Sequence, residues 1–255
     1  AIASARLKND KVDAAILAQL LRADLLPEAW IAPAKVRQLR ALLRHRISLV
    51  RLATQARNRI HAVAADHGYD RSASYRAGPG RGWLAELDLP AASREIITDC
   101  LAVIDGLAPV IDRIDGELHQ HAKADPQVKA LRTLPGVGEF IALVMVAEIG
   151  GITRFPSARK LASWAGLTPT VRGSDLKVRH GHISKQGSVW LRRALNQAAQ
   201  TAKRSPEFAA AYSGIARRRG KKIATIAIAR KLLTRAWHLL SEIQAADAST
   251  PSRRP

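Results

Sequence analysis

The chain has 255 residues and carries 41 Lys and Arg against 21 Asp and Glu, a formal charge of +20, so it is long enough for two cored domains and is drawn to polyanions. Its 47 % hydrophobic and 24 % charged residues are ordinary for a soluble globular protein; a membrane surface would also attract the charge, but no stretch reaches the roughly 18 apolar residues of a membrane span, so nucleic acid is the better partner and no membrane one is expected. A single cysteine, Cys100, excludes an internal disulfide framework, fits a reducing cytoplasm, and reads as a small core residue of an apolar helix.

The first residues, Ala1-Ile2-Ala3-Ser4-Ala5-Arg6, hold neither an initiator Met nor a signal-peptide layout, so the chain is expected to begin partway into a longer protein. From Asn9 the pattern predicts a capped helix with Ile16, Leu17, Leu20 and Leu21 on its apolar face, stopping before Pro27. Asp10 and Asp13 stand three residues apart in its first turn, on one side of the helix. Two such carboxylates suit a share in a Mg²⁺ site, and equally suit a helix start favoured by the dipole.

Residues 34–65 predict a long helix with apolar positions near a 3.5 spacing, from Val36 and Leu39 to Ile60 and Val63, as in a coiled coil. A Gly/Pro/Arg loop, Ala77 to Gly82, separates it from a second such run, Ile97 to Leu118, and the two together predict an antiparallel helical hairpin. Near Lys129 the composition changes. Residues 1–130 hold 19 basic and 15 acidic side chains, whereas residues 131–255 hold 22 and 6, so polyanion binding is assigned to the second half.

There Leu134-Pro135-Gly136-Val137-Gly138 precedes an apolar helix, Glu139 to Ile149, in the manner of a helix-hairpin-helix element. Gly136 and Gly138 would turn the backbone tightly and offer N–H groups to a phosphate, though a plain interhelical turn uses the same residues. A helix from Ser157 to Trp164, closed by Gly166, and two basic helices at about 188–203 and about 221–242 complete the predicted elements. No strand pattern exceeds a few residues, Arg217 to Lys222 reads as a solvated basic stretch or a nonspecific backbone contact, and residues 248–255 read as a disordered tail.

Between these helices, residues 172–185 place Ser174 on a glycine turn among Arg172, Lys177, Arg179, His180, His182 and Lys185. A hydroxyl amid fixed positive charge is what attack on a phosphodiester requires, since the phosphate must be held and its developing charge offset. A turn serine that satisfies nearby backbone groups is the plainer alternative. His180 is read as a phosphate contact, because no second pair lies at zinc spacing. Ser184 to Gly187, ahead of Arg192 and Arg193, reads as a phosphate clamp at a helix start, with Ser184 as the cap.

In this order the pieces resemble the bacterial insertion-sequence transposases that join a RuvC-like DEDD nuclease domain to a C-terminal serine transposase domain, a family understood as bridge-RNA-guided recombinases. Lys8-Asn9-Asp10-Lys11-Val12-Asp13-Ala14 resembles the motif of the last two acidic residues, and the helical hairpin resembles the family's coiled-coil insertion. Leu134 to Gly138, Phe155-x8-Trp164-Ala165-Gly166-Leu167-Thr168-Pro169 and Ile183-Ser184-Lys185-x-Gly187-x4-Arg192-Arg193-Ala194-Leu195 occur in family order.

The resemblance implies a mainly α fold: a remnant of the nuclease domain over 1–30, a helical hairpin over 31–128, a transposase domain with a helix-hairpin-helix element over 129–247, and the tail. It makes Asp10 and Asp13 Mg²⁺ ligands, Ser174 the nucleophile, and Gly136, Gly138, Arg172, Lys177, Arg179, His180, Lys185, Arg192 and Arg193 nucleic-acid contacts. The implied partners are donor and target DNA, a structured guide RNA and further copies of the chain as a dimer or tetramer, in the bacterial cytoplasm on the nucleoid. The first Asp and the Glu of the tetrad are not in the sequence, so the chain alone is expected to be inactive. A non-catalytic helix-hairpin-helix module or an inactive remnant is the alternative, and an oligomerising scaffold is disfavoured by the charge.

Overall fold

The structure, a computed structural model, describes residues 9–26, 29–69, 78–174 and 177–249, of which Arg172, Ser174, 177–180 and 247–249 are described by backbone alone. Lys8 of the acidic motif, Pro27, Ala77 and residues 250–255 of the expected tail lie outside the described residues. The chain divides into two compact units, residues 1–34 and 35–255.

In the first unit, helix α1 spans Asp10–Arg22, as its sequence predicts. Asn9 is the cap: its extended backbone lets the side-chain oxygen accept from the Val12 N–H at 2.8 Å. Asp10 and Asp13 fall where the helix dipole favours negative charge, and Arg22 lies in the last turn, where it favours positive.

The second unit begins with two long helices, α2 (Ala34–Asp66) and α4 (Ala91–Ala124), joined through α3 (Pro79–Glu86). They run antiparallel, as predicted. Arg46 holds Asp115 with two bonds of 2.8 and 2.9 Å towards one end, and His67 meets Ser93 at 2.8 Å towards the other. Between them Ile60, Val63 and Ala64 pack with Ile97 and Ile104 around Leu84, Leu87 and Leu89, and Cys100 lies half-buried against this cluster. The segment expected to be a Gly/Pro/Arg loop is helical from Pro79, because proline at a first helical position loses no hydrogen bond and Leu84 has a core to enter.

The larger core is built on α6 (Glu139–Ile149), which is buried from Ala142 to Met145 and again from Ala147 to Ile149 and so is covered on every side. Around it stand α5 (Pro126–Leu131), α7 (Ala158–Trp164), α8 (Val189–Ala202), α9 (Pro206–Arg219) and α10 (Lys221–Ser249). Leu43 of α2 and Ile114, Leu118 and Ala122 of α4 join the same core, so the charge step near Lys129 has no counterpart in the packing. The rings of Phe155 and Trp164 meet at a tilt with centroids 5.1 Å apart, Arg154 lies over both rings, and Trp237 Nε1–H donates to Phe155 O at 3.0 Å, which accounts for the aromatic spacing.

Two expectations are corrected and one element is added. Residues 217–222 are exposed, as expected of a solvated stretch; Arg217 to Arg219 end α9, a helix that the pattern does not reveal, and Lys221 starts α10. Residues 248 and 249 continue α10 rather than opening a tail. Most consequential, residues 169–183 form an antiparallel hairpin, β1 (Pro169–Ser174) and β2 (Lys177–Ile183), where no strand was expected. Among the described residues no helix is long and apolar enough to cross a membrane.

Candidate nucleic-acid-processing site

The hairpin rises from a base in which two glycine motifs lock together. Gly166 ends α7 at φ +71°, and a Cβ there would run into the carbonyl oxygen of Gln186. Gly187, at φ +67°, would likewise strike the carbonyl of Trp164. Each glycine therefore answers both demands that exclude other residues, a left-handed backbone and a close approach. Ser184 N–H donates to Thr168 O at 2.9 Å and Lys185 N–H to Gly166 O at 3.1 Å, closing the base. Arg192 completes it, its Nη1 donating to Ala165 O and Gly187 O at 3.2 Å each and to Gln186 O. The Trp164–Pro169 and Ile183–Gly187 motifs are thus two halves of one structural joint.

Above the joint the register pairs Val171 with His180, Arg172 with Arg179, Gly173 with Val178 and Ser174 with Lys177. Ser174 therefore closes strand β1 rather than sitting on a glycine turn, and Gly173 is a strand residue; Asp175 and Leu176, at the tip, lie outside the described residues. A bulge between Pro169 and Val171 sits where Gly181 approaches Thr170. Because a strand alternates its faces, positions 172, 174, 177 and 179 share one face of the ribbon and 171, 173, 178 and 180 the other.

Beneath the base lies a polar cluster that the sequence pattern does not reveal. Glu148, only 4 % exposed, accepts three bonds of 2.8–3.0 Å from Arg44 and one of 2.8 Å from Ser188 Oγ. Arg40 donates to the carbonyls of Ala147 and Glu148 at 2.7 and 3.0 Å, covering the end of α6. Burial lowers the basicity of Arg40, Glu148 opposes that, and Arg44 adds to it; burial and then Arg40 lower that of Arg154. Ser188 also accepts from Leu191 N–H at 3.2 Å, so it is the cap of α8. Ser184 is not that cap: its Oγ is buried with no hydrogen-bond partner among the described residues. The legible signal was the lone acid near the end of an otherwise apolar run, since a buried charge has to be paired.

The other predicted residues are distributed as follows. Gly136, at φ +75°, fits against the carbonyl of Ala198 in α8, while Gly138 is exposed and opens α6. Lys185 and Arg193 are exposed and Arg192 is half-buried in the joint. Asp10 is exposed, and Asp13 Oδ1 is buried with no hydrogen-bond partner among the described residues. A carboxylate oxygen shut away from water without a donor is a fit for a cation. No cluster of three or more His, Cys, Asp or Glu able to hold a metal occurs among the described residues, so no third such residue joins Asp10 and Asp13 there. The acidic pair belongs to the first unit and the serine hairpin to the second.

Two family models match the chain: an IS110-type DEDD transposase model over residues 2–67, and one described as transposase IS116/IS110/IS902 family over residues 128–213. The first match contains Asp10 and Asp13, and the second contains the joint and the hairpin. A probable family 20 transposase of Pseudomonas aeruginosa is 26 % identical over 252 residues, 92 % of this chain and 73 % of that protein. Putative transposase y4qE of Sinorhizobium fredii is 29 % identical over 205 residues, 80 % of this chain and 50 % of its own length. The transposase for insertion sequence element IS1111A of Coxiella burnetii is 27 % identical over 248 residues, covering 92 % and 67 %. The chain therefore spans between half and three quarters of these relatives.

Proposed function

From a chain that belongs to the IS116/IS110/IS902 transposases, with a DEDD-type segment at its start, we propose a DNA transposase that cuts and rejoins DNA through a phosphoserine link at Ser174. The observation that carries this reading is the register, which brings Ser174 to one ribbon face with Arg172, Lys177 and Arg179. Arg172 and Arg179 stand at paired positions of the ladder, and a phosphate of the DNA backbone is the counter-charge that two cationic residues at paired positions would take.

In this reading the cations hold the phosphate and offset the charge that develops on it as the Ser174 oxygen attacks phosphorus. The phosphorus–oxygen bond to one deoxyribose breaks, its oxygen takes up a proton, and the serine ester keeps the other strand end for rejoining. The interlocked base matters because an isolated two-stranded ribbon is only marginally stable, and attack requires the hydroxyl to be held in line. Asp10 and Asp13 would hold Mg²⁺, which when bound supplies Lewis-acid charge to the phosphoryl oxygens. Donor and target DNA, a structured guide RNA and further copies of the chain complete the assembly, and the Gly136–Gly138 turn adds a backbone phosphate contact at the start of α6.

The test is strand cleavage of labelled insertion-sequence-end DNA by the assembled protein with Mg²⁺ and its RNA. Asp13→Asn is expected to abolish cleavage while leaving DNA binding in place. Cleavage by Asp13→Asn at the parent rate would overturn the metal part of the reading.

A further inference from the structure

Many cations of this chain are committed to its own fold. Arg40, Arg44, Arg46, Arg132, Arg154, Arg192 and Arg235 are each held by a carboxylate or a main-chain carbonyl. The corner between α9 and α10 is different. Arg217, Arg218, Arg219, Lys221 and Lys222 surround Gly220, all are exposed, and none has a carboxylate partner among the described residues. Arg218 alone is tied back, its Nε donating to Gly214 O at 3.1 Å. The dipole of α9 favours Arg217 to Arg219 in its last turn but that of α10 opposes Lys221 and Lys222 at its start, and five cations within six residues repel one another.

The topology places this corner. α9 and α10 run antiparallel, because Glu207 at the start of α9 pairs with Arg235 far along α10. Gly220 is therefore one α9 length, about 21 Å, from that pair. α8 packs along α10; its last turns meet Gly136 and lead into α9, while its first turns hold the glycine joint through Arg192. The corner thus lies a helix length away from the Gly136 turn, where α8 leads into α9.

We infer that the α9–α10 corner is a second backbone clamp for duplex DNA, gripping phosphates beyond those held at the hairpin. This rests on reading the chain as a DNA-acting transposase, but it concerns a different surface and different residues. The corner's composition favours the phosphate backbone of a duplex: residues 217–222 contain no aromatic side chain on which an unpaired base could stack. What they offer is a dense row of positive charge, which suits a regular array of phosphates.

The experiment measures the salt dependence of binding to a fluorescein-labelled 30-base-pair duplex of arbitrary sequence by anisotropy, using the whole chain. The variant Arg217→Ala/Arg219→Ala/Lys221→Ala/Lys222→Ala is expected to lower the slope of log K against log salt by about 0.9 for each phosphate no longer neutralised, about 2–4 in all. Arg217→Lys/Arg219→Lys is expected to keep the parent slope, which guards against a folding artefact. Removing four exposed cations from α2 and α4, with Arg51→Ala/Arg59→Ala/Arg113→Ala/Lys123→Ala, is expected to change it by less than 1. Equal losses for the two quadruple variants, an unchanged slope for the corner variant, or a loss confined to a hairpin RNA probe would each overturn the proposal. Loss of the serine adduct with an intact corner effect would instead count against the function proposed above and leave the clamp standing.

Discussion

Glu148→Ala is the substitution expected to damage the fold most for its size. The carboxylate is 4 % exposed and accepts four hydrogen bonds, three from Arg44 and one from Ser188. Its removal leaves Arg44 and Arg40 facing one another and frees the cap serine of α8 from its acceptor. Breaking a buried ion pair by deleting one partner costs about 3–5 kcal/mol. Arg44 is 41 % exposed and regains water, which moves the expected cost to about 2–4 kcal/mol. Glu148→Gln keeps the volume and an acceptor for both partners, so about 1–2 kcal/mol is expected. Arg44→Met should cost more than Glu148→Gln, because the stranded carboxylate cannot reach solvent, and the double variant Arg44→Met/Glu148→Gln should be more stable than Arg44→Met alone. Urea unfolding midpoints at constant m-value measure all four. A Glu148→Ala cost under about 0.5 kcal/mol, or strictly additive single changes, would refute the view that this cluster fastens α2 and α8 to the end of α6.

Gly166→Ala and Gly187→Ala are each expected to exceed the roughly 1–2 kcal/mol of a left-handed alanine, since the new Cβ also meets a main-chain carbonyl, whereas Gly138→Ala, open and at φ −79°, should cost less than about 1 kcal/mol; urea unfolding of the three separates them. Burial pushes the Cys100 thiol up, outweighing the nearby Arg59 and reinforced by Asp99, so less thiolate forms near pH 8 and alkylation by iodoacetamide should be slower than for a free thiol. With the folded-state proton held more tightly, stability should fall as pH rises past the ordinary thiol range, and Cys100→Ala should remove that slope.

The helices with local start and stop chemistry are legible in the sequence itself. Asn9 with Asp10 and Asp13 marks α1, the near-heptad spacing marks α2 and α4, and Ser157 with Gly166 brackets α7. The hairpin is not, because alternation in Arg172 to Ile183 is among cations and glycines, and a ribbon with no buried face writes no apolar period of two. α9 escapes for a related reason: of its side chains Phe208 alone is fully buried, and an alanine-rich helix carries a weak pattern. The capping serine is misplaced by four residues because Ser184 and Ser188 both precede the helix, and the joint of Gly166 with Gly187 that pushes the start to Val189 is a contact across the fold. Arg192 reads as a nucleic-acid contact for want of the same information: its carbonyl partners belong to residues 165, 186 and 187, which only folding brings together.

The most direct measurement is the identity of the residue joined to DNA. The protein assembled with its RNA, Mg²⁺ and insertion-sequence-end DNA is trapped under denaturing conditions, digested with nuclease and protease, and its peptides are sequenced by mass spectrometry. A nucleotide remnant on Ser174, absent from Ser174→Ala while duplex binding and its salt slope persist, is the predicted result. A remnant on Ser184, or DNA joined and recut with no protein-linked intermediate in either protein, would contradict it.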